Sequence, residues 1–325
     1  MAAINILGTE YTILDTREKI TVADSFVLPQ NKIMTGNGEA KLYVGNDNEE
    51  VREFFGDAGF EIPSFILKAD LQTYLEETRA EYLKPQQPYR HSDDLPQYWQ
   101  ERSAKVAELP TILWFELVEQ TQIAGPRVYV KSNQPAYRLI RELSLPFITY
   151  LSAMKLQSPD GQIAYYFRLF VDYFGETSHP TVIEQVEEAI QDEFISEERK
   201  FQLVAARRGQ GKYRKRLLEE CPFCPITLVS DDRLLIASHI KPWVSSTDRE
   251  KIDPKNGFMF TPTYDFLFDR GFISFTDDKR MLVSPWLSNT TCSRLNIAPN
   301  RHYPRLPVEG RERYLAYHRT SIFKD

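Results

Sequence analysis

The sequence predicts an α+β protein of two parts, a mixed α/β N-terminal domain and a C-terminal domain of alternating short strands and helices. Three observations carry this prediction. Apolar strand-like runs and helical patterns alternate along residues 1–180. The balance of charge changes sign between the two halves. Near the C-terminus the signals follow the order strand, loop, strand, helix.

Length and composition exclude several classes of protein. The 325 residues suffice for two domains with sizeable cores, and 42% hydrophobic and 26% charged residues are typical of globular proteins. No apolar run reaches membrane-spanning length, and the N-terminus lacks the pattern of a secretory signal. Three cysteines are too few, and odd in number, for a disulfide framework. We therefore expect a cytoplasmic protein that has no membrane partner.

The two halves of the chain differ in charge. Residues 1–199 carry 18 Lys and Arg against 32 Asp and Glu, whereas residues 200–325 carry 22 against 14. This asymmetry predicts that the C-terminal half binds an anion. The alternative is a chance division of charge between two solvated surfaces.

The elements of residues 1–180 follow from local patterns. The runs "YTILDT", "KITVADSFVL" and "AKLYVGN" are strand-like, residues 64–84 are helical, and "KPQQPYRHSDDLPQ" is a polar linker or exposed loop. Further strands are predicted at "PTILWFELV", "PRVYVKS" and "IAYYFRLFVDYF", and a helix at "AYRLIREL".

The aromatic cluster in the last of these strands has two interpretations. Aromatic side chains on a strand stack on nucleic-acid bases in some proteins. Here the apolar side chains alternate along one face, which favours a core strand; they are Tyr165, Phe167, Leu169, Val171 and Tyr173.

A helical, increasingly basic stretch follows residue 180. Ile183, Val186, Ile190 and Phe194 have the spacing of an amphipathic helix. Acidic residues dominate up to Glu198, and no residue from 199 to 218 is acidic. We place a domain boundary here, with domains 1–180 and 181–325. The basic stretch predicts contacts to DNA phosphates, with a solvated helix face as the alternative; the candidates are Arg207, Arg208, Lys212 and Arg214.

The segment "LLIASHIKPW" places His239 near the end of a predicted strand. A lone histidine there is ordinarily a packed, hydrogen-bonded residue. Asn256 follows in a long polar loop, and then come the short strand "FMFT" and the helix "PTYDFLFD", with Pro262 at its start and Gly271 at its end.

That helix carries two carboxylates on one face. Asp265 and Asp269 are four residues apart, so their side chains lie one turn apart along the helix. Taken alone, such a pair is usually a solvated pair of charges. Together with His239 and Asn256 it favours a metal site.

These motifs resemble the HNH endonuclease family, whose fold is a ββα-metal finger, and are most similar to its restriction-endonuclease branch. The resemblance covers about 120 C-terminal residues. It is carried by four ordered segments, which are "RRGQGKYRKRLL", "LLIASHIKPW", "DPKNGFMFTPTYDFLFDRGFISF" and "YLAYHRTSIF". Residues 1–180 resemble no family that we can name.

The resemblance implies a role for each motif residue. His239 would be the general base, Asn256 would orient it, and Asp265 and Asp269 would bind a divalent metal. Oxygen ligands favour Mg²⁺, with Mn²⁺ as the alternative. Two positions depart from the family, since Asp265 stands where histidine is frequent and Ser238 where an acidic residue or histidine is frequent.

Further candidates lie around the motif. Lys241 and Arg270 are candidate phosphate contacts, or else surface cations. Cys221 and Cys224 form a C-x-x-C pair that would need Cys292 and His302 or His318 to complete a structural zinc site; buried free thiols are the alternative. His318 is assigned a structural role in preference to an active-site one. Six arginines in the tail suggest more phosphate contacts, namely Arg294, Arg301, Arg305, Arg311, Arg313 and Arg319.

The resemblance implies a metal-dependent endonuclease that hydrolyses double-stranded DNA, with restriction as its role. Residues 1–180 would recognise the target or mediate dimerisation. One HNH site cuts one strand, so we expect a homodimer. One alternative is a modification-dependent restriction nuclease whose N-terminal domain reads a modified base. Another is a DNA-binding module without catalysis, which the presence of His239 and the candidate ligands disfavours.

Overall fold

The computed structural model describes residues 3–22, 26, 40–120, 125–172 and 213–325. The chain divides into two compact units, unit 1 (1–174) and unit 2 (175–325). Both helices and strands are present, which confirms the predicted α+β class. No helix among these residues is long and apolar enough to cross a membrane.

Unit 1 is built on one eight-stranded sheet. Its strands are β1 (Ala3–Ile6), β2 (Thr9–Thr21), β3 (Leu42–Asn46), β4 (Glu61–Leu67), β5 (Ile112–Gln120), β6 (Arg127–Lys131), β7 (Thr149–Gln157) and β8 (Ile163–Val171). They lie in the order β1-β2-β7-β8-β4-β5-β6-β3. Every neighbouring pair is antiparallel except β4 and β8, which are parallel.

Five α-helices of the described residues accompany this sheet. They are α1 (Glu49–Phe55), α2 (Lys68–Glu77), α3 (Arg79–Leu83), α4 (Leu95–Ala107) and α5 (Pro135–Leu143). Leu71 and Tyr74 of α2 and Leu139 and Ile140 of α5 pack into the main hydrophobic core with one face of the sheet. Apolar residues at helical spacing thus bury one side of α2 and of α5, and α5 is the helix predicted at "AYRLIREL".

The aromatic cluster of β8 belongs to that core. Tyr165, Phe167 and Leu169 are buried in it, and Val171 packs against it. The core interpretation of this strand is confirmed at these positions, whereas Tyr173 lies outside the described residues.

Two predictions for unit 1 are wrong in part. The helix expected over 64–84 begins only at Lys68, because Glu61–Leu67 forms strand β4 between β5 and β8. Pairing on both sides of β4 overrides its local helical pattern. The polar stretch expected as a loop ends in helix α4, which starts at Leu95 with a proline in its first turn.

Unit 2 contains short elements around a second core. Residues 213–220 form helix α6. Strand β9 (Ile236–His239), helix α7 (Asp248–Lys251), strand β10 (Gly257–Phe260) and helix α8 (Pro262–Asp269) follow, then β11 (Ile273–Phe275), β12 (Met281–Val283), α9 (Asn289–Arg294) and α10 (Glu312–Ser321). Strands β9 and β10 pair antiparallel, as do β11 and β12. The predicted strand–loop–strand–helix order is confirmed, with α7 as an addition inside the loop.

Helix α8 begins and ends where the sequence predicts. Pro262 occupies its first turn, and Gly271, just beyond its end, has a φ of +70°. A side chain at Gly271 would also approach the Ile322 carbonyl oxygen to 2.0 Å, so the C-terminal tail packs closely here. The predicted helical pattern over 183–194 and the candidates Arg207, Arg208 and Lys212 lie outside the described residues.

Arg311 is a structural residue, although the tail arginines were predicted to contact phosphate. It is 1% exposed, and its Nε donates a hydrogen bond of 3.0 Å to the Gly257 carbonyl. Its Nη2 lies 3.3 Å from the Pro254 carbonyl oxygen and 3.3 Å from the Glu220 carboxylate. A cation enclosed in this way is not available to DNA, and it fixes β10 to α6.

Three other predicted side chains also bond within unit 2. Arg313 pairs with Asp253, and Arg319 pairs with Asp277. His318 is buried, with Nδ1 2.9 Å from the Ser274 hydroxyl and Nε2 2.9 Å from the Phe268 carbonyl oxygen. The structural interpretation of His318 agrees with this position between α8 and β11.

Candidate functional site

His239 lies at the end of β9 in an aromatic enclosure. Its ring stacks on Tyr213 of α6, with centroids 4.1 Å apart and an angle of 12° between planes, and it meets the edge of Trp243 at 5.6 Å. Gly257 is paired with His239 across the hairpin. A side chain there would come within 1.9 Å of the Tyr213 hydroxyl, so the absence of a β-carbon lets Tyr213 reach the histidine.

Hydrogen bonding assigns the tautomer of His239. Its Nε2 is 3.1 Å from the Lys251 carbonyl oxygen, and a carbonyl accepts but never donates. Nε2 therefore carries the proton, and Nδ1 of the neutral ring presents a lone pair. Burial lowers the pKa of His239, an effect that the Lys251 carbonyl partly opposes. The ring is thus a neutral proton acceptor near pH 7.

Asn256 is fully buried and holds the loop between β9 and β10. Its Oδ1 accepts a 2.8 Å hydrogen bond from the Lys241 amide. Its Nδ2 lies 3.2 Å from each of three oxygens, the carbonyls of Lys241 and Glu250 and the hydroxyl of Ser246. Asn256 therefore fixes the backbone that follows His239, from Lys241 to Glu250.

The two candidate metal ligands of α8 differ in exposure. Asp265 is buried and Asp269 is exposed. Burial raises the pKa of Asp265 to about 6, and the Ser238 hydroxyl beside it works in the opposite direction. Within the described part of the chain no cation pairs with Asp265. The Ser238 hydroxyl is buried, and no described group forms a well-aligned hydrogen bond with it.

A buried carboxyl group with a buried hydroxyl beside it fits a hard divalent cation. Oxygen donors suit Mg²⁺ or Mn²⁺ better than zinc, and water commonly completes the coordination of Mg²⁺. The described residues contain no group of three or more His, Cys, Asp or Glu suited to a metal. The donors described here are oxygens, namely the Asp265 carboxylate and the Ser238 hydroxyl beside it.

The cysteine pair shows the properties of buried thiols. Cys221 and Cys224 are both buried, and burial raises the pKa of Cys221, which keeps it protonated. The Cys221 thiol donates to the Phe223 carbonyl. No third zinc ligand joins the pair among the residues described.

Three of the predicted phosphate contacts have partners inside the protein. Lys241 forms a 2.8 Å ion pair with Glu250, and Arg214 donates to the carbonyls of Leu235 and Asp232. The guanidinium of Arg270 lies 4.4 Å from the ring centroid of Phe266. Arg214 thus anchors the chain that leads into β9.

Sequence reasoning missed several groups of this site. Tyr213 and the Lys251 carbonyl both contact His239, and neither gave a signal, because an aromatic residue at one helical position and a backbone carbonyl look ordinary in a sequence. Glu250 had one. Thr247 and Glu250 follow the S/T-x-x-E pattern of a helix capping box, and they form that box at the start of α7.

Comparison with known proteins agrees with this geometry. A family model described as HNH endonuclease matches residues 224–276, which include β9, α7, β10 and α8. No curated protein matches the chain. The C-terminal part of the chain therefore contains an HNH endonuclease domain.

Proposed function

We propose that the chain is a metal-dependent endonuclease that hydrolyses phosphodiester bonds of double-stranded DNA, with restriction as its role. The observation that carries this proposal is the state of His239. Its Nε2–H is engaged by the Lys251 carbonyl, so Nδ1 is left as a proton acceptor beside the helix that carries Asp265. The proposal rests on the HNH domain for its reaction class.

In this proposal His239 is the general base. Nδ1 accepts a proton from a water molecule as the water oxygen attacks phosphorus, and the imidazolium that forms keeps its Nε2–H bonded to Lys251. Stacking on Tyr213 holds the ring plane during this transfer. The lowered pKa keeps the base unprotonated in the free protein.

Asp265 and Asp269 would hold the divalent cation, Mg²⁺ or Mn²⁺. When bound, the ion offsets negative charge on the scissile phosphate and on the leaving 3′-oxygen. Asp265 is suited to this by its burial without a described cation partner, because a buried carboxylate gains most from a bound cation.

The excess of basic residues in 200–325 supports DNA as the substrate. Arg207, Arg208 and Lys212 remain candidate phosphate contacts. We assign target recognition or dimerisation to unit 1, and a homodimer would supply one site for each strand.

The first test is cleavage of unmodified plasmid and of modified phage DNA by the wild type and by His239→Ala, with Mg²⁺ or with EDTA. We expect discrete fragments from the wild type only with Mg²⁺, and a rate lower by at least about 100-fold for the variant. The substrate that is cut distinguishes restriction of unmodified from restriction of modified DNA. Equal cleavage by His239→Ala would refute the assignment of the base.

Metal binding has a test that does not need activity. Mg²⁺ or Mn²⁺ should raise the melting temperature of the wild type and leave that of Asp265→Asn unchanged. Asp278→Asn is the control, because Asp278 is an exposed residue that pairs with Arg280. A metal-induced shift of the same size in Asp265→Asn would remove Asp265 from the ligand set.

A further inference from the structure

The carbonyl of Lys251 determines how His239 is held. Among the described residues it is the one hydrogen-bond partner of the His239 ring. Lys251 is the last residue of α7, a helix of only four residues. A single helical turn is not stable by itself, so other contacts must fix its position.

Glu250 supplies those contacts at the start of α7. Its Oε2 accepts hydrogen bonds from the Thr247 amide at 2.9 Å and from the Thr247 hydroxyl at 3.1 Å. The same oxygen is 2.8 Å from the Lys241 ammonium. These donors, Lys241 foremost, lower the pKa of Glu250 to about 2, so the carboxylate is ionised at neutral pH.

Lys241, the partner of Glu250, lies next to the strand that carries His239. It lies two residues after His239, and its amide is fixed by Asn256. Its ammonium sits 5.3 Å from the ring centroid of Tyr317, and the side chains of Lys241 and Glu250 are each only 19% exposed. The ion pair therefore links the end of β9 directly to the turn that presents the Lys251 carbonyl.

We propose that Lys241 and Glu250 are positioning residues for His239, joined as an ion pair that keeps the Lys251 carbonyl on Nε2 and so keeps Nδ1 directed to the reacting water. This inference rests on the proposed function, and it replaces the prediction that Lys241 contacts phosphate. The ammonium group of Lys241 is paired with the Glu250 carboxylate. In this arrangement it positions Glu250 and does not bind a DNA phosphate.

The two roles of Lys241 differ in what they change. A phosphate contact contributes to DNA affinity, and its loss lowers the slope of log affinity against log salt by about one. A positioning pair changes the cleavage step and leaves affinity and salt slope as they are. A small displacement of a catalytic group costs up to about 100-fold in rate.

The test compares Lys241→Met and Glu250→Gln with the wild type in full-length protein. Lys279→Met is the matched control, since Lys279 forms a 3.0 Å pair with Glu309 in the same unit. Circular dichroism and thermal melting establish that each variant is folded. We expect the single-turnover cleavage rate to fall about 10- to 100-fold in Lys241→Met while the dissociation constant for DNA stays within about twofold. Lys241→Arg, which keeps the cation, should recover most of the rate.

A second readout does not depend on cleavage. The ¹⁵N chemical shifts of the His239 ring should report protonated Nε2 in the wild type and a mixture of tautomers in Lys241→Met and Glu250→Gln. Unchanged tautomers in both variants would overturn the positioning role whether or not DNA is cut. Weaker binding with a reduced salt slope and an unchanged cleavage rate would restore the phosphate contact. If the wild type cuts no DNA but the tautomers shift as expected, the positioning role stands and the proposed nuclease function fails.

Discussion

The two units of this protein differ in the interactions that stabilise each of them internally. Unit 1 has one sheet of eight strands, of which β2 spans 13 residues, and a continuous apolar core on one of its faces. The four strands of unit 2 within the described part of the chain have only three or four residues. Short strands provide few backbone hydrogen bonds, so other groups must fix the loops of unit 2.

Buried polar side chains take that role in unit 2. Arg311, Asn256 and His318 are each 1% exposed or less, and each bonds to backbone carbonyls of other segments. Unit 1 has such contacts too, for example from the Tyr82 hydroxyl to the Leu143 carbonyl, but they add to an extended sheet. Where loop carbonyls position a catalytic side chain, buried polar side chains are needed to fix those loops. In a sequence, such structural polar residues cannot be distinguished from residues that bind a ligand.

The largest loss of stability should come from truncating a buried side chain in the core of unit 1. Phe167→Ala removes a ring that is 1% exposed, and we expect the free energy of unfolding to fall by about 3–5 kcal/mol. Urea denaturation measures this, and hydrogen exchange should show lost protection in β7 and β8. Leu83→Ala is the control, because Leu83 is 39% exposed and should cost less than about 1 kcal/mol. A loss as small in Phe167→Ala would mean that the core does not carry the stability of unit 1.

A single buried polar side chain should matter almost as much in unit 2. Arg311→Met leaves the carbonyls of Gly257 and Pro254 without their donor, and we expect a loss of about 2–4 kcal/mol with hydrogen exchange increased in β10. Arg305→Met serves as the comparison, since among the described residues the exposed Arg305 guanidinium contacts only the Phe223 ring, 5.7 Å from its centroid. If Arg311→Met left the free energy of unfolding unchanged, packing rather than hydrogen bonding would hold β10 to α6.

Acidic pH should lower the stability of unit 2 more than that of unit 1. Burial lowers the pKa of His318 to about 4, below its value of about 6.5 in an unfolded chain, so protonation favours unfolding. The stabilisation is complete above about pH 6.5 and is lost as the pH falls toward 4, by about 2 kcal/mol between pH 7 and pH 5. In unit 1 the sequence contains one histidine, His91, which is exposed. Unfolding of His318→Gln followed against pH should show a smaller slope over this range, and an unchanged slope would assign the acid sensitivity to other groups.

The sequence was most informative where local pattern and tertiary structure agree. Strands β9 and β10 and helix α8 were predicted, because Pro262 and Gly271 mark the ends of the helix and apolar runs mark the strands. Helix α4 was missed, since a polar stretch rich in proline precedes it. Lys241 and Arg311 were assigned to DNA because a charge in a sequence does not reveal its partner. Their partners are Glu250 and a set of carbonyls, which only the folded chain brings close.

The contact between Arg311 and Gly257 also has a consequence for the order of events during synthesis. The guanidinium that fixes the end of the His239 hairpin is encoded 54 positions after the glycine that it binds. A growing polypeptide that has emerged only as far as α8 contains His239, Asn256 and Asp265 but not this donor. Arg311 must therefore be translated before it can fix the hairpin to α6. Every candidate catalytic group is synthesised well before this contact can form.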